Sequence, residues 1–141
     1  MKYTKEGNTY MLALERGEEV ISTLTKFCSD NNIKAGVFQG LGAVERIKIG
    51  YYDLGKKEYF FREEAGVFEV ASMSGNVAIV DGKPFIHAHA VLSRCDESCA
   101  TIGAHIKEAF VAVTLEVFLT ELNMKLGRKL NEEIGLKLLE M

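Results

Sequence analysis

Apolar residues in this chain recur mostly at a period of two, the mark of strands, and only once at helical spacing. Tyr10, Leu12 and Leu14 alternate with Met11, Ala13 and Glu15 and predict a first strand. The period then changes. Val20, Leu24, Phe27 and Cys28 stand at i, i+4, i+7 and i+8, which predicts one main amphipathic helix over about residues 17–31. Glu18 and Glu19 are expected in its first turn, where a negative charge favours the helix dipole, and Asn31-Asn32 supplies a left-handed stop.

Beyond the helix the pattern is strand-like almost throughout. Residues 33–38 lead into Gly40-Leu41-Gly42-Ala43-Val44, where glycine permits backbone angles or close approaches that other residues forbid. Ile47, Ile49 and Tyr51 alternate with Lys48 and Gly50, and residues 58–62 and 67–73 predict two further short strands from their β-branched and aromatic content. Residues 76–80 and 83–92 flank Asp81-Gly82, a dipeptide suited to a type I′ hairpin turn. In residues 109–119, Val111, Val113, Leu115, Val117 and Leu119 share one face, and the other face, with Phe110, Ala112 and Phe118, is also largely apolar. Leu136 to Leu139 predict a short final strand.

One helix on a mixed, mostly antiparallel sheet is an α+β fold, and 141 residues suffice for a single domain over 1–141. The regularly alternating helices of a Rossmann or flavodoxin-like fold are missing. Residues 40–44 have neither the spacing nor the following helix of a dinucleotide fingerprint.

Composition narrows the classes of function. With 48% hydrophobic and 26% charged residues the chain is globular rather than disordered. A net charge of −3 gives no general pull toward nucleic acid or anionic membrane. The largest basic cluster, Lys125, Arg128 and Lys129, reads as a solvated surface. No apolar window suits a signal peptide or a membrane span, so a cytoplasmic protein is expected. Three cysteines, an odd number, fit a reducing compartment better than a disulfide framework.

The chemistry concentrates in residues 82–105, which hold all three histidines. His87 and His89 stand at i and i+2 of a strand, on one face and roughly 6.6 Å apart along it. Two imidazoles so placed can share a metal ion at about 2.0–2.1 Å from each nitrogen, and His105 needs only to arrive from a neighbouring strand. Three nitrogens leave a tetrahedral ion one open position, the arrangement of catalytic sites. Cys95 or Cys99 is the competing fourth ligand, which would close the site; the alternative is that both are small loop residues and Cys28 is core.

Several segments together resemble the PPC domain, the plant and prokaryote conserved domain. They are Gly36 to Val44, Gly66 to Val77, Asp81 to Ser93 and Gly103 to Val117, in the family's order and with its helix motif at residues 16–20. The resemblance covers nearly the whole chain and implies a single-domain α+β fold assembling as a homotrimer. It implies that His87, His89 and His105 bind zinc or another divalent transition metal, open to a small-molecule ligand. Metal-dependent catalysis is one role that follows. A DNA-binding or protein-binding regulatory module with a structural metal is the other. More distantly, the fold class is similar to that of acetolactate decarboxylase, whose zinc is also held by His-x-His and a third histidine. Plant members owe DNA contact to AT-hooks built around Arg-Gly-Arg-Pro; this chain's one proline is Pro84, outside any such motif, so specific DNA binding is not expected. Glu69, in the segment matching the partner-contacting hexapeptide of plant members, is the candidate acid or base. Glu116, midway along an apolar strand, is read as an interface or supporting carboxylate.

Overall fold

The computed structural model describes residues 1–140 as eight strands and one helix. β1 (Lys2–Glu6) and β2 (Thr9–Glu15) form a hairpin, and α1 (Val20–Asp30) follows. β3 (Gly36–Asp53), β4 (Glu58–Val80), β5 (Lys83–Arg94) and β6 (Thr101–Glu121) are long, and β7 (Gly127–Asn131) with β8 (Leu136–Glu140) makes a closing hairpin. β3 pairs antiparallel with β4 and β6, and β5 pairs antiparallel with the same two, so the four long strands close a circuit. Among the described residues the one parallel contact is Ile79 of β4 beside Gly127 of β7. The α+β expectation, a mostly antiparallel sheet with one helix, holds.

The circuit encloses the core. Leu12, Leu14, Leu24, Ile33, Phe68, Leu115 and Leu119 are fully buried within one cluster. Cys28 belongs to the same cluster, as expected, and burial pushes its thiol up to about 12, so it packs as an apolar side chain.

Helix α1 is shorter than the expected 17–31, because Glu19 caps it rather than standing in its first turn. The Glu19 carboxylate accepts from the backbone N–H of Ile21 at 3.0 Å and of Ser22 at 2.6 Å. Glu18 turns away to the N-terminal amine of Met1 at 3.0 Å. The stop is where the sequence places it, with Asn32 at φ 55°. Asp81 and Gly82, at φ 51° and 79°, make the expected type I′ turn.

The glycine-rich stretches do not separate strands. Residues 33–38 and 47–51 fall largely within one strand, β3, and residues 58–62, 67–73 and 76–80 within one strand, β4. Bulges do the bending, with register shifts at Gly40/Gly42 and Glu45/Ile47 in the β3–β4 pairing. Gly42 sits at φ 149°, and a Cβ there would collide with the Thr114 carbonyl oxygen. The same irregularity corrects the expected face of residues 109–119. Across Gly42 to Val44, β6 runs from Leu115 to Val111, and Val113 swings outward to 68% exposure while Val111 and Leu115 stay buried.

Candidate metal centre

Strand β5 alternates Ile86, Ala88, Ala90 and Leu92 into the core, which leaves His87 and His89 together on its outer face. Ala88 packs directly opposite Gly75, where any side chain would meet Phe38 and the His87 carbonyl. The wall behind the histidines is therefore thin and tightly packed. β6 brings His105 opposite His89 as its cross-strand partner, and β3 sets Gly50 on the other side of His105. The third histidine thus comes from the neighbouring strand.

The three rings lie 5.0–5.3 Å apart by their centroids, and one nitrogen of each falls within a 4.8 Å group. His87 Nε2 and His89 Nε2 are 3.2 Å apart. Two nitrogens bound at about 2.0–2.1 Å to one tetrahedral ion stand about 3.4 Å apart, so this pair is already at ligand spacing. His105 Nδ1 is buried and has no hydrogen-bond partner in the protein. A buried polar atom left without a partner is costly, and an ion bound at Nδ1 itself relieves that cost. The donor set and its spacing fit a divalent transition metal.

Burial pushes His105 down to about 4, helped by the neighbouring His87 and His89, and burial also lowers His87, with Arg128 adding to it. Both rings are therefore neutral near pH 7, with the lone pair that coordination needs. A linkage follows for the metal-free protein. Unfolded, His105 takes its proton near 6.5, but folded it does so only near 4. Between those values the unfolded state binds more protons, so stability falls as pH drops from about 6.5 toward 4. Denaturant midpoints in the presence of chelator at pH 7.0, 5.5 and 4.5 are expected to decline less in His105→Gln than in the wild type; parallel declines would contradict this.

The surroundings include one group the sequence did not mark. Arg128 reaches over from β7, its Nη2 donating to Asn76 Oδ1 at 2.9 Å and meeting His87 Nδ1 at 3.2 Å, while Nη1 donates to the Lys137 carbonyl at 3.2 Å. Its expected role as solvated surface is overturned: the β7–β8 hairpin folds it against the histidines, and burial lowers its affinity for the proton. Nothing in the periodicity of a five-residue strand distinguishes it from Lys129 beside it. Tyr59 completes this side, its ring 5.0 Å from that of His105.

The other candidates lie elsewhere. Glu69 is exposed opposite Ser93, four residues along β5 from His89, or roughly 13 Å at strand spacing, and its Oε1 meets Cys95 Sγ at 3.7 Å. Cys99 Sγ turns to the Asp96 carbonyl at 3.5 Å. Neither cysteine joins the histidine group among the described residues. Glu116 is exposed on the outer face of β6, opposite Leu41.

Residues 1–123 match the family described as the Plants and Prokaryotes Conserved (PCC) domain. No curated protein matches the chain. Among solved structures, a plant- and prokaryote-conserved protein of Pyrococcus horikoshii is 35% identical with a TM-score of 0.88, covering 99% of this chain and 95% of that one. A protein of Archaeoglobus fulgidus described as metal-containing is 35% identical with a TM-score of 0.88, over 100% of both chains. A supposed DNA-binding protein of Ralstonia eutropha is 29% identical with a TM-score of 0.91, covering 99% of this chain and 96% of that one. With a match that takes in the helix, all four long strands and the three histidines, this chain belongs to the plants and prokaryotes conserved domain family.

Proposed function

We propose that this chain is a metal-binding protein in which His87, His89 and His105 hold one divalent transition metal, zinc foremost, with a position left open for a small molecule. The observation that carries the reading is the 3.2 Å approach of His87 Nε2 and His89 Nε2 beside the unpartnered Nδ1 of His105. The described-as-metal-containing relative of equal length supports it. In such a site the ion lowers the pKa of a bound water or polarises a carbonyl. The protein's own part is to keep two of the three imidazoles neutral by burial and to hold Arg128 beside them. Glu69 takes no part at the metal in this reading; it serves Cys95 instead. Elemental analysis of the purified protein tests the proposal, and a blank result removes it.

The rival reading, a trimeric regulatory module, rests on a different feature. Val37, Leu41, Val113 and Phe118 are 48–68% exposed on the outer faces of β3 and β6, an apolar surface that two further copies of the chain would cover. We propose a homotrimer on that basis. Light scattering at micromolar concentration is expected to give three chain masses, and one chain mass rules it out. DNA is a less suitable partner. Assembly triples a net charge of −3, and Arg128 of the one basic cluster is taken up against Asn76 and His87. Specific duplex binding tighter than roughly micromolar at physiological salt is therefore not expected, because counterion release by several phosphate contacts supplies that affinity. A footprint on a defined sequence at nanomolar protein would restore the regulatory reading.

A further inference from the structure

We propose that the cavity beside the three histidines binds a small monocarboxylate with an apolar body, its carboxylate held by Arg128. The inference deepens the metal reading, on which it rests for what the bound molecule faces, and it begins from a charge without a counter-charge. Arg128 is ionised at any working pH and half-buried, yet among the described residues it has only neutral partners: Asn76, His87 and the Lys137 carbonyl. Its hairpin neighbours differ. Lys129 faces Glu140 at 3.8 Å, and Lys137 faces Asp81 at 2.7 Å. Buried or half-buried charges are ordinarily paired, and here the missing partner is an anion. Of the five N–H groups of a guanidinium, Nε–H is buried without an acceptor, and Nη1 makes only one hydrogen bond within the protein.

The space in front of this group is shaped for a ligand. A cavity of about 400 Å³ has His87, His105 and Arg128 in its wall. Tyr59, Phe61, Phe85, Leu136 and Leu138 are among its apolar lining. That volume falls in the range of small-molecule sites, which combine apolar walls with a few convergent polar groups. The Arg128 guanidinium also sits 5.4 Å from the centroid of the Phe85 ring, another residue of the cavity wall. Coordination strengthens the case. An imidazole bound to metal through Nε2 carries its proton on Nδ1, and that N–H no longer accepts from Arg128 Nη2. Metal loading would therefore release one arm of the guanidinium, and a carboxylate takes it up in the planar two-point geometry that Arg favours. A single fork balances the single charge of a carboxylate, whereas a phosphate calls for a second cation held beside the first. Of the two lysines in the cavity wall, Lys137 is already paired with Asp81 and Lys107 is exposed to solvent, so the carboxylate is the better match.

Calorimetric titration of the zinc-loaded and the chelator-stripped protein with phenylacetate, phenylacetamide and inorganic phosphate tests the proposal. Phenylacetate is expected to bind both forms, and phenylacetamide, neutral and of the same shape, at least tenfold more weakly. Arg128→Met is expected to lose at least tenfold in phenylacetate affinity when variant and wild type are both compared in the chelator-stripped form, where the loss cannot come from the metal. If that variant fails to fold, the wild-type ratio of phenylacetate to phenylacetamide decides alone. Equal binding of acid and amide, tighter binding of phosphate, or no phenylacetate binding at millimolar concentration overturns the assignment. Acid-selective binding by stripped protein, together with a blank metal analysis of the protein as purified, supports the carboxylate site while ending the metal reading.

Discussion

Purified protein is expected to carry about one divalent metal ion per chain, falling to near zero when His87 and His89 are replaced together by alanine. The size of the effect follows from the way the site is divided among strands. β5 supplies two ligands already 3.2 Å apart, and β6 supplies only one. Losing His105 leaves a bidentate pair, whereas losing both residues of β5 leaves a single imidazole, which does not retain a metal through purification. Fold damage is not an alternative explanation, since both side chains stand on the outer face of β5 and neither belongs to the core cluster. Circular dichroism of the double variant should match the wild type. Equal metal content in wild type and variant would place the ion elsewhere and sink the three-histidine centre.

Phe68→Ala is expected to cost about 3–5 kcal/mol of unfolding free energy, the range for removing a large aromatic side chain from a packed interior. Phe68 is 0% exposed, is the largest fully buried side chain of the chain, and lies on β4 between Val44 of β3 and Arg94 of β5. Three strands of the closed circuit therefore meet at its ring, and none can move in to fill the space without breaking pairings on its other edge. Native stabilities of about 5–15 kcal/mol make this a large fraction of the total. Denaturant titration at one fixed protein concentration measures it. A loss under about 1 kcal/mol would show that the circuit is not packed around Phe68.

Much of this protein is legible in its sequence. The helix, the Asp81-Gly82 turn, the alternation of β2 and the core position of Cys28 are local matters, set by side-chain period, capping chemistry and turn propensity within a few residues. His87 and His89 belong to the same class, because the pleat alone puts i and i+2 on one face.

What the sequence could not decide depends on partners distant along the chain. The pattern splits residues 33–51 and 58–80 into short separate segments, yet β3 and β4 run through them, because bulges let a long strand bend while both of its neighbours keep their hydrogen bonds. Val113 has the period of a core residue and faces outward, because a backbone irregularity opposite Gly42 shifts the count. His105 becomes a partner of His89 only through the β5–β6 register. Glu69 and the two exposed cysteines fall away from the histidines for the same reason: register, not proximity in sequence, sets their neighbours. Arg128 is the clearest case. By sequence it is one of three basic residues near the C-terminal end, and it reaches His87 and Asn76 only because the β7–β8 hairpin docks beside β4. The sequence by itself determined which elements form and which two histidines share a face. The tertiary structure decided the third histidine and the arginine beside it, because cross-strand pairing and burial bring together groups that no local pattern relates.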